Sequence, residues 1–515
     1  MKESLRLLGP AASHDNARKY LGRYWGPAPC AIFPTTSSKK PVRGTSDYLY
    51  ALDPRMIKIR LTLMKWFNEN HKVDETGTGY AGPSGVASNA SALSAMAGWP
   101  MRPTPIPLLN NTKFLTSLGV AEHIPVKYVP VLDEVCRLFF GSHRPETLRI
   151  RRDGSTGFPY FTTNVEHKKK AVMSIFENVD DFLNLVTSDN PSDLLEALKR
   201  YHFVYLYAIF RRLQADSLNS DGTPKQRTAP TAEEARSGDY SGTTYADKTV
   251  RIDGNVVPDS FGMRARDVFG FNGPGNYFMT GVFGCWRSVY MERFAFTYKT
   301  RDREDKKLKT AGFSYSSGAD VKTMDKTIPK DFFDRVCENL AKYSDPRFAK
   351  FVRRALSAPY VVSDFDKEDE SFEPLFGGSP FDPSSWENNC VGLPSGIACN
   401  PDMGKLWMTF VYLCRLFDIG VLKTLKDIEP FLQGKNRDHA LLDSSDDAVF
   451  LSNSSTAIQA WENHKSELAV IGPEHPTLYL GDVFTINANK QRDVVPNIVT
   501  YMVNLLCRED SIDKK

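Results

Sequence analysis

The chain has 515 residues, 41% of them hydrophobic and 12% aromatic, enough for a large core and roughly three domains' worth of length. Lys+Arg number 65 against 62 Asp+Glu, a net charge of +3, so there is no bulk basic signature and a nucleic-acid role would need local clusters of positive charge. Eight scattered cysteines without a Cys-x-x-Cys pair argue against a zinc site or a disulfide framework and for a reducing compartment.

The first twenty residues lack an apolar signal core. The longest mostly apolar stretch, Leu406–Leu413, is far short of the ~20 residues of a membrane span, so a soluble protein is expected. Residues 1–51 are mixed and punctuated by proline, with a basic patch at Lys39, Lys40 and Arg43. Pro54–Asn70 carries Met56, Ile59, Leu63 and Trp66 at helical spacing. Residues 74–98 read as a long loop, and Pro103, Pro105 and Pro107 then forbid a helix. Helical periodicity resumes at Val131–Phe140.

Leu148–Thr163 interleaves Arg149, Arg151 and Arg152 with Phe158, Tyr160 and Phe161. Guanidinium groups can pair phosphates while aromatic faces stack bases; an exposed strand with core aromatics is the plainer alternative. Phe182–Arg212 reads as helices. Lys225 and Arg227 sit in a polar segment, and alternation puts Arg264 and Arg266 on one face of a strand. Together they suit a cationic wall for a triphosphate, or else a solvated basic edge. Residues 299–309, a mixed charge run, read as a solvated loop.

Next comes a strand, Ala311–Asp320, followed by Asp325 and a helix over Asp331–Leu340. A strand ending in Asp before a turn and helix presents a carboxylate at a sheet edge; a helix cap is the plainer role for Asp325. Asp364 and Asp369 share the five-residue offset, but the short Gly- and Pro-bearing interval to residue 395 cannot hold a packing helix, so Ser363–Phe372 reads as an acidic surface loop. Gly392–Asp402 is a loop opening a buried helix, with Asn400 as expected cap, Pro401 at the first helical position, and Ser395 and loop amides able to hold a sugar hydroxyl or phosphate. His439–Asn453 reads as a hairpin whose tip carries Asp446 and Asp447, a place where two carboxylates can reach divalent metal. Thr456–Ala469 reads as a helix, and a second hairpin-like pair, LYLGDVFTI, follows GPEH. The tail, Pro496–Lys515, reads as one short apolar helix and then charge.

The motifs RIRRDGSTGFPYF, KQR at 225–227, RAR at 264–266, ADVKTMD, VGLPSG, SSDDA, GPEH and YLGD occur in that order between about residues 150 and 480. In wording and order the sequence resembles the RNA-dependent RNA polymerases of cystoviruses, the enveloped double-stranded RNA phages. The resemblance implies an α+β right-hand polymerase with an antiparallel palm sheet flanked by helices, encircling fingertips and a partial thumb. By residue range it implies 1–310 as mainly fingers and fingertips with an interspersed palm segment, 311–345 as palm, 346–390 as a fingers–palm connection with the acidic loop, 391–490 as palm, and 491–515 as the start of the thumb. It implies template-directed nucleotidyl transfer that replicates and transcribes a double-stranded RNA genome.

Residue by residue, the resemblance implies that Asp320 and Asp446, with Asp447 beside them, bind two catalytic Mg²⁺. Asp325, Ser395 and Asn400 would read the ribose 2′-hydroxyl, and Lys225, Arg227, Arg264 and Arg266 would hold the triphosphate. Asp447, Glu474 and the Leu478 carbonyl match a non-catalytic Mn²⁺ site, an oxygen-only donor set that suits a hard cation. Lys39, Lys40, Arg43, Arg149, Arg151 and Arg152 would line the template path. Implied partners are single-stranded RNA template, double-stranded RNA product, NTPs, an inner capsid shell protein and a packaging NTPase. The resemblance further implies that no membrane is involved, that the catalytic unit is a monomer, and that the setting is the virion inner capsid and the host bacterial cytoplasm. Asn400 departs from the family, which more often has Thr there. Only 33 residues follow Asp482, where the family carries a further stretch that completes the thumb and supports primer-independent initiation, so the initiation mode is left open. A reverse transcriptase-like polymerase, or a non-catalytic RNA-binding capsid protein, are the alternatives.

Overall fold

In the helix beginning at Asn400 nearly every side is apolar, and such a helix has no face to give to solvent. The computed structural model accordingly buries every residue of it from Asp402 to Leu416. The structure describes residues 115–116, 118–145, 172–201, 205, 207–211, 217–218, 224–225, 249–252, 255–258, 267–298, 302–321, 324–362, 378–379, 382–389, 392–394, 396–474, 477–486 and 492–496. Outside them lie the patch at Lys39, Lys40 and Arg43, the helix expected at 54–70, the loop and prolines of 74–107, and the Arg/aromatic segment 148–163 with Arg149, Arg151 and Arg152. So do Arg227, Arg264, Arg266, the acidic loop 363–372, Ser395 and the tail beyond Pro496. For Lys225 and Glu474 only the backbone is described.

The helices are α1 (Val129–Phe140), α2 (Val179–Thr187), α3 (Pro191–Tyr201), α4 (Gly273–Arg293), α5 (Arg303–Thr310), α6 (Met324–Thr327), α7 (Lys330–Tyr343), α8 (Pro346–Ser357), α9 (Asn400–Asp418), α10 (Ile428–Leu432) and α11 (Ser455–Asn463). The strands are β1 (Tyr207–Arg211), β2 (Ser217–Leu218), β3 (Pro224–Lys225), β4 (Thr249–Ile252), β5 (Asn255–Pro258), β6 (Asp267–Gly270), β7 (Tyr315–Val321), β8 (Tyr360–Val362), β9 (His439–Ser444), β10 (Asp447–Ser452), β11 (Ile471–Glu474), β12 (Leu478–Tyr479), β13 (Asp482–Ile486) and β14 (Arg492–Pro496).

The architecture is mixed helix and sheet. A four-stranded antiparallel sheet, order β11-β7-β10-β9, occupies the centre. The β9–β10 hairpin is apolar at every position of Ala440–Leu442 and Ala448–Leu451 because both its faces are covered. On one face α9 and α11 pack, with Phe450 stacked on Trp461 at 4.8 Å. On the other, Ala440, Leu442, Val449 and Leu451 join Tyr479, Phe484 and Val494 of the small sheet β12-β13-β14. Helices α1, α4, α7 and α8 extend the core through an aromatic cluster that includes Phe140, Trp286, Phe283 and Phe348. A third sheet sets β1 antiparallel to β6 and parallel to β8. Among the described residues no helix is long and apolar enough to cross a membrane.

Several sequence expectations are corrected. Residues 207–211 form a strand, not the end of a helix: an aromatic, β-branched run finds two partner strands, and that pairing decides its state. The helix expected over 456–469 stops at Asn463. GPEH does not merely lead into the second hairpin; β11 is an edge strand of the central sheet. The charge run is not a solvated loop over its described part, from Asp302 on. Asp302 caps α5 through the Asp305 amide, and Lys306 within it is fully buried. Its ammonium donates to the Tyr479 carbonyl at 3.0 Å and to Asp482 Oδ2 at 2.7 Å, while Arg303 reaches Asp482 Oδ1 at 3.0 Å. A buried cation survives only when it is paired in this way.

Lys306→Ala leaves Asp482 buried with Arg303 as its remaining charged partner. The expected loss is about 3 kcal/mol in urea unfolding; a loss of the size typical of an exposed lysine, under ~0.5 kcal/mol, would contradict the paired-burial account.

Candidate active site

Ser445 and Asp446 form a two-residue connection between β9 and β10. Ser445 takes a positive φ of 67°, the left-handed conformation such turns need. A serine held there needs support, and Asp443 supplies it. Its Oδ1 accepts from the Ser445 amide at 3.1 Å, and its Oδ2 accepts from Lys405 Nζ and from Thr409 Oγ1, each at 2.7 Å. Lys405 also donates to the Asp443 carbonyl at 2.9 Å, and the Asp443 amide donates to the Thr297 carbonyl at 2.9 Å. Both members of the ion pair are buried; burial lowers the Lys405 ammonium's pKa and the Asp443 carboxylate opposes that shift. Lys405, Thr409 and Tyr412 lie at helical spacing on one stripe of α9, and the Tyr412 hydroxyl donates to the Asp446 carbonyl at 3.0 Å. The helix thus grips the turn from beneath, leaving Asp446 and Asp447 exposed.

Strand register brings the third acid in. The β7–β10 ladder ends at Ala319 paired with Ala448, and continuing it by one position sets Asp320 opposite Asp447, whose carboxyl feels the Asp320 charge. Opposed residues of antiparallel strands have Cα atoms about 5 Å apart with side chains on one face. On the other side of β7, Asp320 lies opposite Gly472, a residue with no side chain to crowd the carboxylate. The Asp447 carboxyl is pushed up to about 6 by burial, then by the negative charges of Asp446 and Asp320; the Leu480 amide and Lys306 act against the rise. Asp447 as a residue is exposed, so screening tempers the burial contribution, and the like-charge repulsion is the part a cation would relieve. Leu480 belongs to the tight β12–β13 turn, where it and Gly481 both have positive φ, 49° and 81°. Lys306 anchors the same turn, so α5, the second hairpin and Asp447 form one supported unit.

Asp325 lies in α6, with its side chain 40% exposed and the Lys326 ammonium 3.9 Å away. Its carbonyl accepts from the Leu393 amide at 2.7 Å. Gly392 has φ 75°, and a Cβ there would sit 2.3 Å from that carbonyl, so only glycine permits this approach. A Cβ on Gly404 in α9 would meet Ser445 Oγ at 3.1 Å, Met324 Cε at 3.6 Å and Leu393 Cδ2 at 3.7 Å. The turn, the neighbour of Asp325 and the Gly-Pro loop therefore converge on one helical glycine. Asn400 is not the cap of α9. Cys399 holds that position without a side-chain bond, Asn400 is the first helical residue, and its amide turns back to donate to the Pro394 carbonyl at 3.1 Å.

The structure thus brings Asp320, Asp446 and Asp447 to one sheet edge and joins Asp325 to the adjoining loop. Leu478 pairs with Val483 in the second hairpin. Lys225 is placed by backbone alone, opposite Ser217 in a short ladder. Asp443, Lys405, Thr409 and Gly404 were missed by sequence reading. An aspartate inside an apolar strand and a lysine inside an all-round apolar helix were the available signals.

For divalent metal the donor chemistry fits: three neighbouring carboxylates, oxygen only, with mutual repulsion to relieve. Among the described residues, however, no group of three or more His, Cys, Asp or Glu side chains forms a ready-made cage.

No protein-family model matches the chain. Among solved structures it is similar to the RNA-dependent RNA polymerase from bacteriophage phi12, with 18% sequence identity, a TM-score of 0.68, and coverage of 90% of this chain and 70% of that one. At that identity the likeness is one of fold.

Asp443→Ala would strand Lys405 as a buried, uncompensated charge and remove the acceptor of the Ser445 amide. The expected destabilisation is about 4 kcal/mol. The double change Asp443→Leu with Lys405→Met should recover at least half of it in denaturant unfolding. A double variant as unstable as the single one would show that the orphaned charge is not the cause.

Proposed function

We propose that the chain is an RNA-dependent RNA polymerase, catalysing template-directed nucleotidyl transfer at the edge of the central sheet where Asp320 meets the Ser-Asp-Asp turn. The observation that carries the reading is the strand register that opposes Asp320 to Asp447 beside Asp446, within a fold similar to that of a phage polymerase. In this reading the central sheet and its flanking helices are the palm, the segments before residue 310 are mainly fingers, and the segment after 490 begins the thumb.

Mg²⁺ ions held by Asp320, Asp446 and Asp447 would make a ribose 3′-hydroxyl nucleophilic and neutralise the departing pyrophosphate. The buried support beneath the turn holds the backbone that carries Asp446 and Asp447 before substrate arrives, which reduces the reorganisation the reaction would need. Lys225, Arg227, Arg264 and Arg266 bind the triphosphate. Asp325 and Ser395, with Asn400 at the end of their loop, read the ribose 2′-hydroxyl, which distinguishes NTP from dNTP and favours RNA synthesis over reverse transcription. Template RNA follows Lys39, Lys40, Arg43 and Arg149–Arg152, and base pairing supplies sequence specificity. Asp447, Glu474 and the Leu478 carbonyl hold a stimulatory Mn²⁺. By the same resemblance the enzyme acts on the genome of a double-stranded RNA phage, inside the inner capsid with a shell protein and a packaging NTPase.

Asp446→Ala is expected to abolish primer-free RNA synthesis while leaving the circular dichroism spectrum and melting temperature unchanged; retained synthesis refutes the assignment. Glu474→Gln is expected to reduce stimulation by Mn²⁺ at least severalfold with Mg²⁺-supported synthesis preserved. Complete loss with Mg²⁺ would contradict a non-catalytic role.

A further inference from the structure

Asn276 lies in the first turn of α4, 120 positions before the loop at 392–400. A polar residue in a helix's first turn is ordinarily turned to solvent or spent on a cap. Here the cap is already supplied: the Asn272 side chain accepts from the Gly275 amide at 2.9 Å, and Pro274 presets the first turn. Gly273, Pro274 and Gly275 are buried, so the start of α4 is packed against protein. The Asn276 side chain is thereby released for another partner, and its direction is fixed by a rigid helix origin.

That partner is the loop. Asn276 Nδ2 donates to the Gly396 carbonyl at 2.9 Å, and its Oδ1 accepts from the Ala398 amide at 3.0 Å. A carboxamide holds donor and acceptor in one plane, as a peptide group does, so it grips two peptide groups two residues apart as a neighbouring strand would. Aspartate lacks the donor, and glutamine is one methylene too long for the same origin. The rest of the loop is tied elsewhere: the Leu393 amide donates to the Asp325 carbonyl at 2.7 Å, and the Asn400 side-chain Nδ2 donates to the Pro394 carbonyl at 3.1 Å. Further along, Arg287 of α4 makes a two-pronged ion pair, 2.7 and 2.5 Å, with buried Asp402 in the first turn of α9. One helix therefore holds the far side of the loop and the start of the helix that follows it, while Asp325 holds the near side.

We propose that Asn276 is a positioning residue for sugar selection. It sets the peptides at Gly396 and Ala398, and through them the separation between the loop and Asp325, so that a ribose is accepted in preference to a deoxyribose. This inference rests on the polymerase reading and on the ribose-reading role of Asp325 and its loop. Nothing in the sequence signals it, because Asn276 has no special spacing to either motif.

The test uses the full chain with an RNA template and compares incorporation of an NTP with that of its 2′-deoxy analogue. Asn276→Ala removes two hydrogen bonds at a partly buried site. The ratio of kcat/KM for NTP over dNTP is expected to fall about tenfold, with the change concentrated in KM for the NTP. Hydrogen exchange at the Ala398 amide is expected to accelerate in the same variant. If Asn276→Ala does not fold, the measurement passes to Asn276→Asp, which keeps the acceptor for Ala398 and loses the donor to Gly396; it should show the same fall in discrimination. An active variant with an unmoved NTP-to-dNTP ratio overturns the inference and leaves Asn276 a structural clamp. Absence of incorporation by the unaltered chain overturns the polymerase reading, and this inference with it.

Discussion

The ion pair between Lys405 and Asp443 is the contact on which the rest of the site depends. Two charges buried beneath a sheet are expensive, and their attraction offsets that cost only when the remaining donors and acceptors are satisfied. Here they are. One carboxylate oxygen takes Lys405 and Thr409, the other takes the Ser445 amide, and Lys405 also reaches the Asp443 carbonyl. The consequence is geometric. A serine in the left-handed conformation and two exposed aspartates, an arrangement that would otherwise be a loose loop tip, are fixed to a helix buried at every residue from Asp402 to Leu416.

The same device recurs around the site. Arg287 ties α4 to Asp402 at the start of α9, and Lys306 with Arg303 ties α5 to Asp482 at the second hairpin. In each case a cation from one segment meets a carboxylate at the end of an element that carries or abuts a candidate site residue. Such pairs do little for net stability compared with apolar packing, but they punish displacement heavily, because a shift orphans a buried charge. That property suits a site whose acids repel one another. Asp446 and Asp320 both press on Asp447, and the framework must hold the three together against that repulsion.

The legible part of the fold was the part with local chemistry. The two apolar runs around Ser445-Asp446-Asp447 declare a hairpin, the all-round apolar helix after Asn400 declares burial, and a strand carrying Asp320 is legible, although it spans Tyr315–Val321 and so starts later and ends one residue beyond the expected bounds. What stayed hidden was decided by distant partners. Residues 207–211 became a strand because β6 and β8 lie beside them. Lys306 looked like one more solvated lysine because its carboxylate is 176 positions away. Asn400 looked like a cap because caps are local, yet its amide is spent on Pro394. The Asp320–Asp447 opposition follows from a register that no composition of either strand specifies. By contrast, Asp443 could have been found, since a carboxylate inside ALLDS implies a buried partner.

Iron-directed cleavage most directly tests the proposal that Asp320, Asp446 and Asp447 gather metal. Fe²⁺ added to the full chain with ascorbate and peroxide generates radicals that cut the backbone beside the bound ion. The account predicts cuts clustered near residue 320 and near residues 446–447 in the same preparation, suppressed by excess Mg²⁺ and lost in Asp320→Ala. Cuts confined to one of those segments, or placed elsewhere and indifferent to Mg²⁺, would contradict it.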